Sequence, residues 1–498
     1  MAELQFDPSH RQRVTPVPIT AEEHAAIARA FESGPSVFGA LSTLRTRRMG
    51  LGYRSETGEP ETFEWSSGRT LTQPAGPLGW TSNAPPVPLS EVEEALLAWA
   101  ALGPNGIALA DVPVHGALSG ILSWAGRTIP ASSNDLSVDL FLINDQGVFR
   151  YRPLAERLAP VEIAGPDDYW KILHWYRNDR LQVSDRRPDI GWFSAPEGTH
   201  NVNAMGPGQY NLNRPGSTWF LPVGDLGLEW FNQLLSSYEW SGFYLMDPDT
   251  QKSCGVEEFI RPGFLEVGFP IPVFDDLVQL LHASQVGCTV QNIRLAAESM
   301  GLGAWPVGSY ADDMVLGAYP EVATGLGFQF LERDPDRNPT ATATCLGLTG
   351  VKEPVVVPSP QFPTAADAVR YVKNLRYGPG GVLSRHDNWA ERNDGPYRPE
   401  VMQEVMEHPK AHISEWVEQA AIATVEYIVD RYGCCPAYIS PVRAKFSAQV
   451  HHVDVDFYRR FTVGGSADGD ARPYSVTDQI TSHFAQWHPG HPDPTAGA

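Results

Sequence analysis

The stretch that most constrains the fold is residues 277–308, LVQLLHASQVGCTVQNIRLAAESMGLGAWPVG. Apolar residues recur along it with mostly helical spacing, at Leu280, Leu281, Val286, Val290, Ile293 and Ala297. Small residues lie among them, which lets a second backbone approach closely on more than one side. Gly301 stands where the residue after a helix turns left-handed, a conformation that glycine tolerates best. The sequence therefore predicts one long buried helix that ends in a glycine turn and leads into a strand.

The composition excludes several classes of protein. The chain has 498 residues, 42% of them hydrophobic and 19% charged, so it is long and apolar enough to build a large globular core. Its net charge of −22 disfavours nucleic acids and anionic membranes as partners, since both are negatively charged. The N-terminus has no apolar signal segment, and no apolar run is long enough to span a membrane. Five cysteines without a C-x-x-C pair indicate reduced thiols, so the sequence predicts a cytoplasmic protein.

A second informative stretch is residues 126–153, GRTIPASSNDLSVDLFLINDQGVFRYRP. Apolar and polar side chains alternate over 136–142, and the turn signal Asn144-Asp145-Gln146-Gly147 follows before the next apolar residues. This pattern predicts a β-hairpin. The loop ahead of the hairpin carries three short polar side chains, Ser132, Ser133 and Asn134.

These stretches resemble the nitroreductase superfamily of FMN enzymes. The family pattern at the late helix is N-x-x-L-A-A-x-x-x-G-L-G followed by a Pro/Ile/Val-x-Gly step. The residues that fall on it are Asn292, Leu295, Ala296, Ala297, Gly301, Leu302, Gly303 and Gly308. In the family this turn lies against the flavin ring. The resemblance therefore implies cofactor contacts from Gly301, Leu302, Gly303, Val307 and Gly308. A buried core helix with an ordinary glycine stop is the simpler interpretation of the same residues.

The loop before the hairpin resembles a second family motif, P-S-A-x-N, which is written here as Pro130-Ala131-Ser132-Ser133-Asn134. In the family, its Ser and Asn side chains hydrogen-bond the polar edge of the flavin. Such side chains suit both oxidised and reduced flavin, because each presents donors and acceptors at the ring rim. Together with the hairpin, this motif is similar to the branch that contains azoline-forming dehydrogenases. Gly103-Pro104-Asn105-Gly106 is a competing place for the motif, and the later one is preferred.

The densest basic cluster of the chain is residues 42–48, STLRTRR. A solvated helix end is the default interpretation, but guanidinium groups also bind phosphate through paired hydrogen bonds. The family opens with an R-R-S-x-R motif that holds the FMN phosphate and ribitol, and Arg47 and Arg48 resemble its first two residues. Met49 stands in place of its serine and Leu51 in place of its last arginine. By the same resemblance, Lys352 is a late basic residue that reaches the phosphate.

The remaining patterns define the predicted organisation of the chain. The sequence predicts helices near 20–33, after Ser90 as far as Gly103, and near 115–125, 364–375 and 412–431, with a strand over 254–268. Thr20 and Glu23 fit a capping box at the start of the first helix, and Ser90 caps the second. We predict three regions. An N-terminal arm and helix (1–40) precede an FMN domain (41–350), which contains an aromatic-rich insertion or lid (166–270), and an α/β extension with a flexible tail (351–498) follows.

The C-terminal region also carries a group of metal-ligating residue types, His451, His452, Asp454 and Asp456. On a strand, His452, Asp454 and Asp456 share one face. The exposed face of a sheet is the preferred interpretation, because nothing else supplies a clear ligand set. We therefore predict no metal site, and a metal-dependent hydrolase is the weakest of the functional hypotheses.

The first hypothesis is an FMN-dependent oxidoreductase of α+β fold. The resemblance implies a mixed sheet wrapped by helices and a homodimer with the flavin at the subunit interface. Hydride would pass through flavin N5, with NAD(P)H as a candidate donor and an aromatic, conjugated or peptide-derived molecule as substrate. The flavin carries the reaction in this family, so no catalytic side chain is assigned. The second hypothesis is a non-catalytic flavin-binding or scaffold protein of the same fold.

Overall fold

The computed structural model describes residues 17–33, 36–43, 61–64, 70–73, 87–114, 118–131, 136–153, 162–190, 212–308, 310–340, 342–377 and 412–453. Helices and strands both contribute to this part of the chain, which confirms the predicted α+β class. The predictions made for Arg47, Arg48, Ser132, Ser133 and Asn134 lie outside the described residues.

Helices and strands are numbered in chain order. The helices are α1 (Ala21–Ala28), α2 (Val37–Thr43), α3 (Glu91–Leu102), α4 (Trp170–Asn178), α5 (Leu226–Ser236), α6 (Ile271–Ser299), α7 (Asp312–Leu316), α8 (Ala365–Tyr377) and α9 (Glu415–Tyr432). The strands are β1 (Glu61–Glu64), β2 (Thr70–Gln73), β3 (Pro104–Val114), β4 (Leu118–Arg127), β5 (Val138–Asn144), β6 (Gly147–Tyr151), β7 (Arg180–Ser184), β8 (Ser217–Asp225), β9 (Phe243–Met246), β10 (Val267–Pro270), β11 (Gly303–Val307), β12 (Gln329–Leu331), β13 (Thr344–Gly347), β14 (Val442–Arg443) and β15 (Ser447–His451).

A seven-stranded sheet organises the described chain. Six strands follow the order β11-β15-β8-β5-β6-β7, and β14 also pairs with β8. Its described pairings are antiparallel, whereas β9 and β10 form a separate parallel pair. Because β14 and β15 follow residue 350, the segment predicted as a C-terminal extension supplies two strands of the central sheet.

Both faces of the central sheet are covered. In β5, Leu140 and Leu142 pack in one hydrophobic cluster with residues of α3, α4 and α6. Phe141 and Ile143 pack in a second cluster with residues of α7. All of β5 is buried, so its polar residue Asp139 must find its partners inside the protein.

The long helix α6 confirms the main prediction from sequence, with one shift. Four residues of the predicted apolar stripe are buried, namely Val286, Val290, Ile293 and Ala297. Leu280, however, is 66% exposed. In that part of the helix His282 lies against Gly224 of β8, and Gln285 accepts a hydrogen bond from Ser137. The buried side of α6 is therefore partly polar there, which the apolar spacing did not indicate.

Predictions that depended on local hydrogen bonds are confirmed. The side chain of Thr20 accepts the Glu23 N–H, and the Glu23 carboxylate accepts the Thr20 N–H, which forms the predicted capping box of α1. Ser90 and Glu93 make the same pair at α3. The hairpin of β5 and β6 and the helices α8 and α9 are also present where the sequence predicts them.

Two predicted elements are wrong. The sequence predicts a helix near 115–125, but β4 occupies 118–127 and pairs with β3. Ten residue pairs join the two strands, whereas the glycines of this stretch would destabilise a helix. The predicted strand over 254–268 starts only at Val267. The chain before it turns at Arg261–Phe264, where Gly263 has a φ of 81° and the Phe264 N–H donates to the Arg261 carbonyl.

The first turn of α6 is anchored by a buried acid. Oδ1 of Asp275 accepts the indole N–H of Trp230 at 2.6 Å, and Oδ2 accepts the Tyr438 N–H at 3.1 Å. Burial raises the pKa of Asp275 from 3.8 to about 7, although both hydrogen bonds lower it. Between about pH 4 and pH 7, Asp275 is therefore protonated in the folded protein but ionised in the unfolded chain.

We expect Asp275→Asn to flatten the pH dependence of stability. In the wild type, stability falls as pH rises from about 4 to 7, and the shift corresponds to roughly 4 kcal/mol. The Asn variant has no proton to lose, so the difference in its urea midpoint between pH 5 and pH 8 should be smaller. Asp276→Asn, which changes the exposed neighbour, should keep the wild-type pH dependence. Equal pH dependence in all three proteins would contradict the prediction.

Candidate functional site

The glycine turn after α6 has the geometry that the sequence predicts. Gly301 has a φ of 75°, the Gly301 N–H donates to the Glu298 carbonyl at 3.1 Å, and the Leu302 N–H donates to the Ala297 carbonyl at 2.8 Å. These two bonds form a Schellman motif, which satisfies carbonyls at the end of the helix. Gly303 then begins β11, which pairs with β15. The helix, the turn and the strand occur in the predicted order.

The side chains of this turn serve packing. Leu302 is 1% exposed and packs with residues of α6, while Val307 packs on the other side of the sheet near Tyr310. The backbone of Gly301 and Gly303 is also buried. Gly308 is half-buried, and a Cβ there would lie 3.0 Å from the Phe446 ring. The surface that this segment offers to a cofactor is therefore Trp305, Pro306 and Gly308.

The described residues on either side of 132–135 are held along α6. The side chain of Asn292 donates to the Thr128 carbonyl at 2.8 Å and to the Ala100 carbonyl at 3.2 Å. Beyond the loop, the Ser137 hydroxyl donates to Gln285 at 3.2 Å. Asn292, which the resemblance assigns to the helix motif, thus ties α6 to the segment that leads into the predicted flavin loop.

The glycine turn and the described borders of the predicted flavin loop lie at different levels of α6. Gly301 is nine residues beyond Asn292 and sixteen beyond Gln285. At the helical rise of 1.5 Å per residue, these separations are about 14 Å and about 24 Å. The pairing of β8 agrees, because Val138 at the start of β5 pairs with Gly224, whereas β15 meets β8 at its other end. One chain therefore holds the turn and the borders of the loop apart.

Lys352 requires a correction. Its ammonium group is buried and lies 3.3 Å from Oδ2 of Asp139, so it is already engaged by a carboxylate inside the protein and does not reach a phosphate from there. Arg152 lies 3.1 Å from Oδ1 of Asp139, and Arg150 approaches Oδ2 at 4.0 Å. Burial raises the pKa of Asp139, but the charges of these three basic residues together lower it. Lys352 is a structural ion-pair residue.

The C-terminal histidines form no metal site within the described residues. His451 and His452 are buried, and Nε2 of His452 lies 3.7 Å from a carboxylate oxygen of Glu93. Asp454 and Asp456 lie outside the described residues. Among the residues that the structure describes, no group of three or more His, Cys, Asp or Glu side chains could hold a metal ion. The five cysteines are free thiols, as predicted.

Sequence reasoning missed a buried polar cluster around Glu94 of α3. Oε1 of Glu94 accepts the Thr218 hydroxyl at 2.5 Å, and Oε2 accepts the Tyr176 hydroxyl at 2.5 Å. The Asn144 amide donates to both oxygens, at 2.9 and 3.2 Å. Burial raises the pKa of Glu94, and the hydrogen bonds oppose this shift. In the sequence, the local sign of this cluster was that a carboxylate, Glu94, directly precedes the apolar run ALLAWAAL.

The comparisons with known proteins give weak structural likeness and no match in sequence. No protein-family model matches the chain, and no curated protein matches it. Among solved structures, the chain is similar to a protein from Ralstonia eutropha JMP134 that is provisionally assigned as a nitroreductase. The sequence identity is 14%, the match covers 62% of this chain and 81% of that chain, and the TM-score is 0.25. At such values we derive neither cofactor nor reaction from the likeness. Within the described residues, no helix is long and apolar enough to cross a membrane.

Proposed function

We propose that the chain is an FMN-dependent oxidoreductase of the nitroreductase type. The observation that carries the proposal is the unit formed by α6, the left-handed Gly301 turn and β11, which follows the family pattern in residue types and in local structure. The β5–β6 hairpin, which follows the second family motif, adds support. The azoline-dehydrogenase branch remains a narrower form of the same proposal.

We further propose that the flavin binds between two copies of the chain. The separation of about 14 to 24 Å along α6 keeps the glycine turn and the loop borders of one chain from meeting at one ring. A second copy could bring its loop to the turn of the first. Val273, Leu280, Ala283 and Ser284 leave one side of α6 exposed, and a Cβ at Gly287 would meet open space. This side of α6, with the exposed Phe38 of the neighbouring α2, is a surface on which a second copy can pack.

The flavin, when bound, supplies hydride transfer at N5. The chain contributes binding and orientation. Trp305 and Pro306 offer an apolar surface next to the turn, and the half-buried Gly308 follows them. No described residue is assigned as an acid or base. We propose NAD(P)H as the first candidate for the electron donor and an aromatic, conjugated or peptide-derived molecule as the substrate.

The test is the visible absorption spectrum of the purified protein, incubated with FMN and freed of excess by gel filtration. We expect a retained flavin band that bleaches anaerobically on addition of NADH or NADPH. A retained band that neither nucleotide bleaches, but dithionite does, would favour the non-catalytic flavin-binding alternative or another donor. A protein that retains no flavin after reconstitution would contradict the proposal.

A further inference from the structure

A cavity lies beside the Glu94 cluster, between the start of α3, the turn from β5 to β6, and the start of β7. Its volume is about 350 Å³, enough for a small organic molecule. Pro88 and Leu89 give it an apolar wall, and Asn144 and Gln146 give it a polar one. Its charged lining consists of Glu91, Glu94, Asp145 and Arg180.

The carboxylates of this cavity already have partners. Glu91 lies 2.6 Å from Arg177, and Asp145 lies 2.8 Å from Arg187 and also accepts the Gly216 N–H. Glu94 accepts only hydroxyl and amide hydrogens, in the cluster described above. Glu91 and Asp145 therefore pair with cations that do not line the cavity, while their negative charges remain at its rim.

Arg180 differs from these groups. Its guanidinium lies 4.5 Å from the centre of the Phe149 ring and 4.6 Å from that of Tyr176, so two aromatic rings fix its position. Nη1 donates to the Tyr176 hydroxyl at 3.0 Å. Among the described residues no carboxylate lies within ion-pair distance of it, although its positive charge acts to lower the pKa of the neighbouring Glu94. A half-buried guanidinium, oriented by two aromatic rings, thus lines the cavity, and among the described residues its hydrogen bond goes to Tyr176.

We propose that this cavity binds a small monoanionic carboxylic acid, with its carboxylate on Arg180 and its apolar part against Pro88 and Leu89. The planar guanidinium suits a carboxylate because it can donate two parallel hydrogen bonds. Glu91 and Asp145 disfavour a dianion such as phosphate, since a second negative charge would meet theirs at short range. The site is independent of the proposed flavin site, so the two proposals can fail separately.

The test is isothermal titration calorimetry of the purified protein with isovalerate, isovaleramide and inorganic phosphate. An aliphatic acid avoids stacking on a flavin. We expect saturable binding of isovalerate, with the amide and phosphate weaker by about tenfold or more. Arg180→Gln should weaken isovalerate binding by a similar factor. Arg186→Gln, which removes an exposed charge near the same strand, should leave it unchanged.

A second variant protects the test against a folding defect. Gln146 is exposed in the β5–β6 turn, and only its backbone makes hydrogen bonds there, so Gln146→Trp should fill the mouth of the cavity and block binding with Arg180 intact. Absence of isovalerate binding in the wild type would overturn the proposal. Unchanged affinity in both Arg180→Gln and Gln146→Trp would also overturn it, and tighter binding of phosphate would overturn the ligand class.

Discussion

Replacing Asp139 with alanine is expected to lower the free energy of unfolding by about 3–5 kcal/mol. Asp139 is buried in β5 with Lys352 at 3.3 Å, and Arg152 and Arg150 approach the same carboxylate. Removing the carboxylate leaves the buried ammonium of Lys352 without its ion-pair partner and with Asp225 as the remaining carboxylate whose pKa it lowers, and the loss of this ion pair is the main cost. Urea unfolding at pH 7, followed by circular dichroism, measures the difference.

Two controls separate the buried charge from a simple loss of contact. Lys352→Met in the Asp139→Ala background removes the buried charge, so it should recover a large part of the loss. Asp249→Ala breaks the ion pair with Arg431, in which both side chains are about half exposed, and should cost much less than Asp139→Ala because solvent screens the pair. If the double variant is no more stable than Asp139→Ala, the buried charge is not the cause.

The pH dependence of the Asp139 effect has a definite sign. The folded pKa of Asp139 lies below its ordinary value of 3.8 because the neighbouring cations outweigh burial. Its stabilising contribution is therefore complete above that ordinary value and is lost as the pH falls through the lower folded pKa. The stability difference between wild type and Asp139→Ala should stay constant from neutral pH down to about 5 and shrink in stronger acid.

The parts of the fold that the sequence predicts are those with local causes. The capping box of Thr20 and Glu23 needs two residues three apart, and the Schellman turn at Gly301 needs one glycine after an apolar helix. The pairing of β11 and β8 with β15 has no such local cause. β15 follows about 140 residues after Gly303, and no local pattern reveals that strand order.

The same distinction applies to the candidate site. The basic residue Lys352 invites a phosphate assignment, but its partner Asp139 is far away in the sequence and only the sheet brings them together. The cavity at Arg180 depends on the start of α3, a hairpin turn and β7, and each piece is unremarkable alone. A sequence motif can therefore indicate a cofactor. The partners that change a residue's charge or accessibility can be identified only once the fold is known.

Substitution of Leu280 by glutamate is expected to abolish both dimerisation and flavin retention. In the proposed dimer, Leu280 lies in the middle of the exposed side of α6, and glutamate there would add a negative charge beside that of Asp276, one turn earlier, in each copy. Separated chains would then hold the glycine turn and the borders of the loop about 14 to 24 Å apart along α6, so FMN would lose the contacts that the second chain supplies. Light scattering after gel filtration should show twice the 54.7 kDa chain mass for the wild type and the single mass for the variant, with no retained flavin band.

Gln279→Glu is the matched control for Leu280→Glu. It adds the same charge about 100° around the helix from Leu280, at the edge of the exposed side, and should keep both dimer and flavin. A monomeric Leu280→Glu variant that still retained FMN would place the flavin within one chain and contradict the interface site. A wild-type monomer that retained FMN would contradict it equally, while leaving the flavin proposal itself intact. The two measurements together therefore separate the question of where the flavin binds from the question of whether it binds.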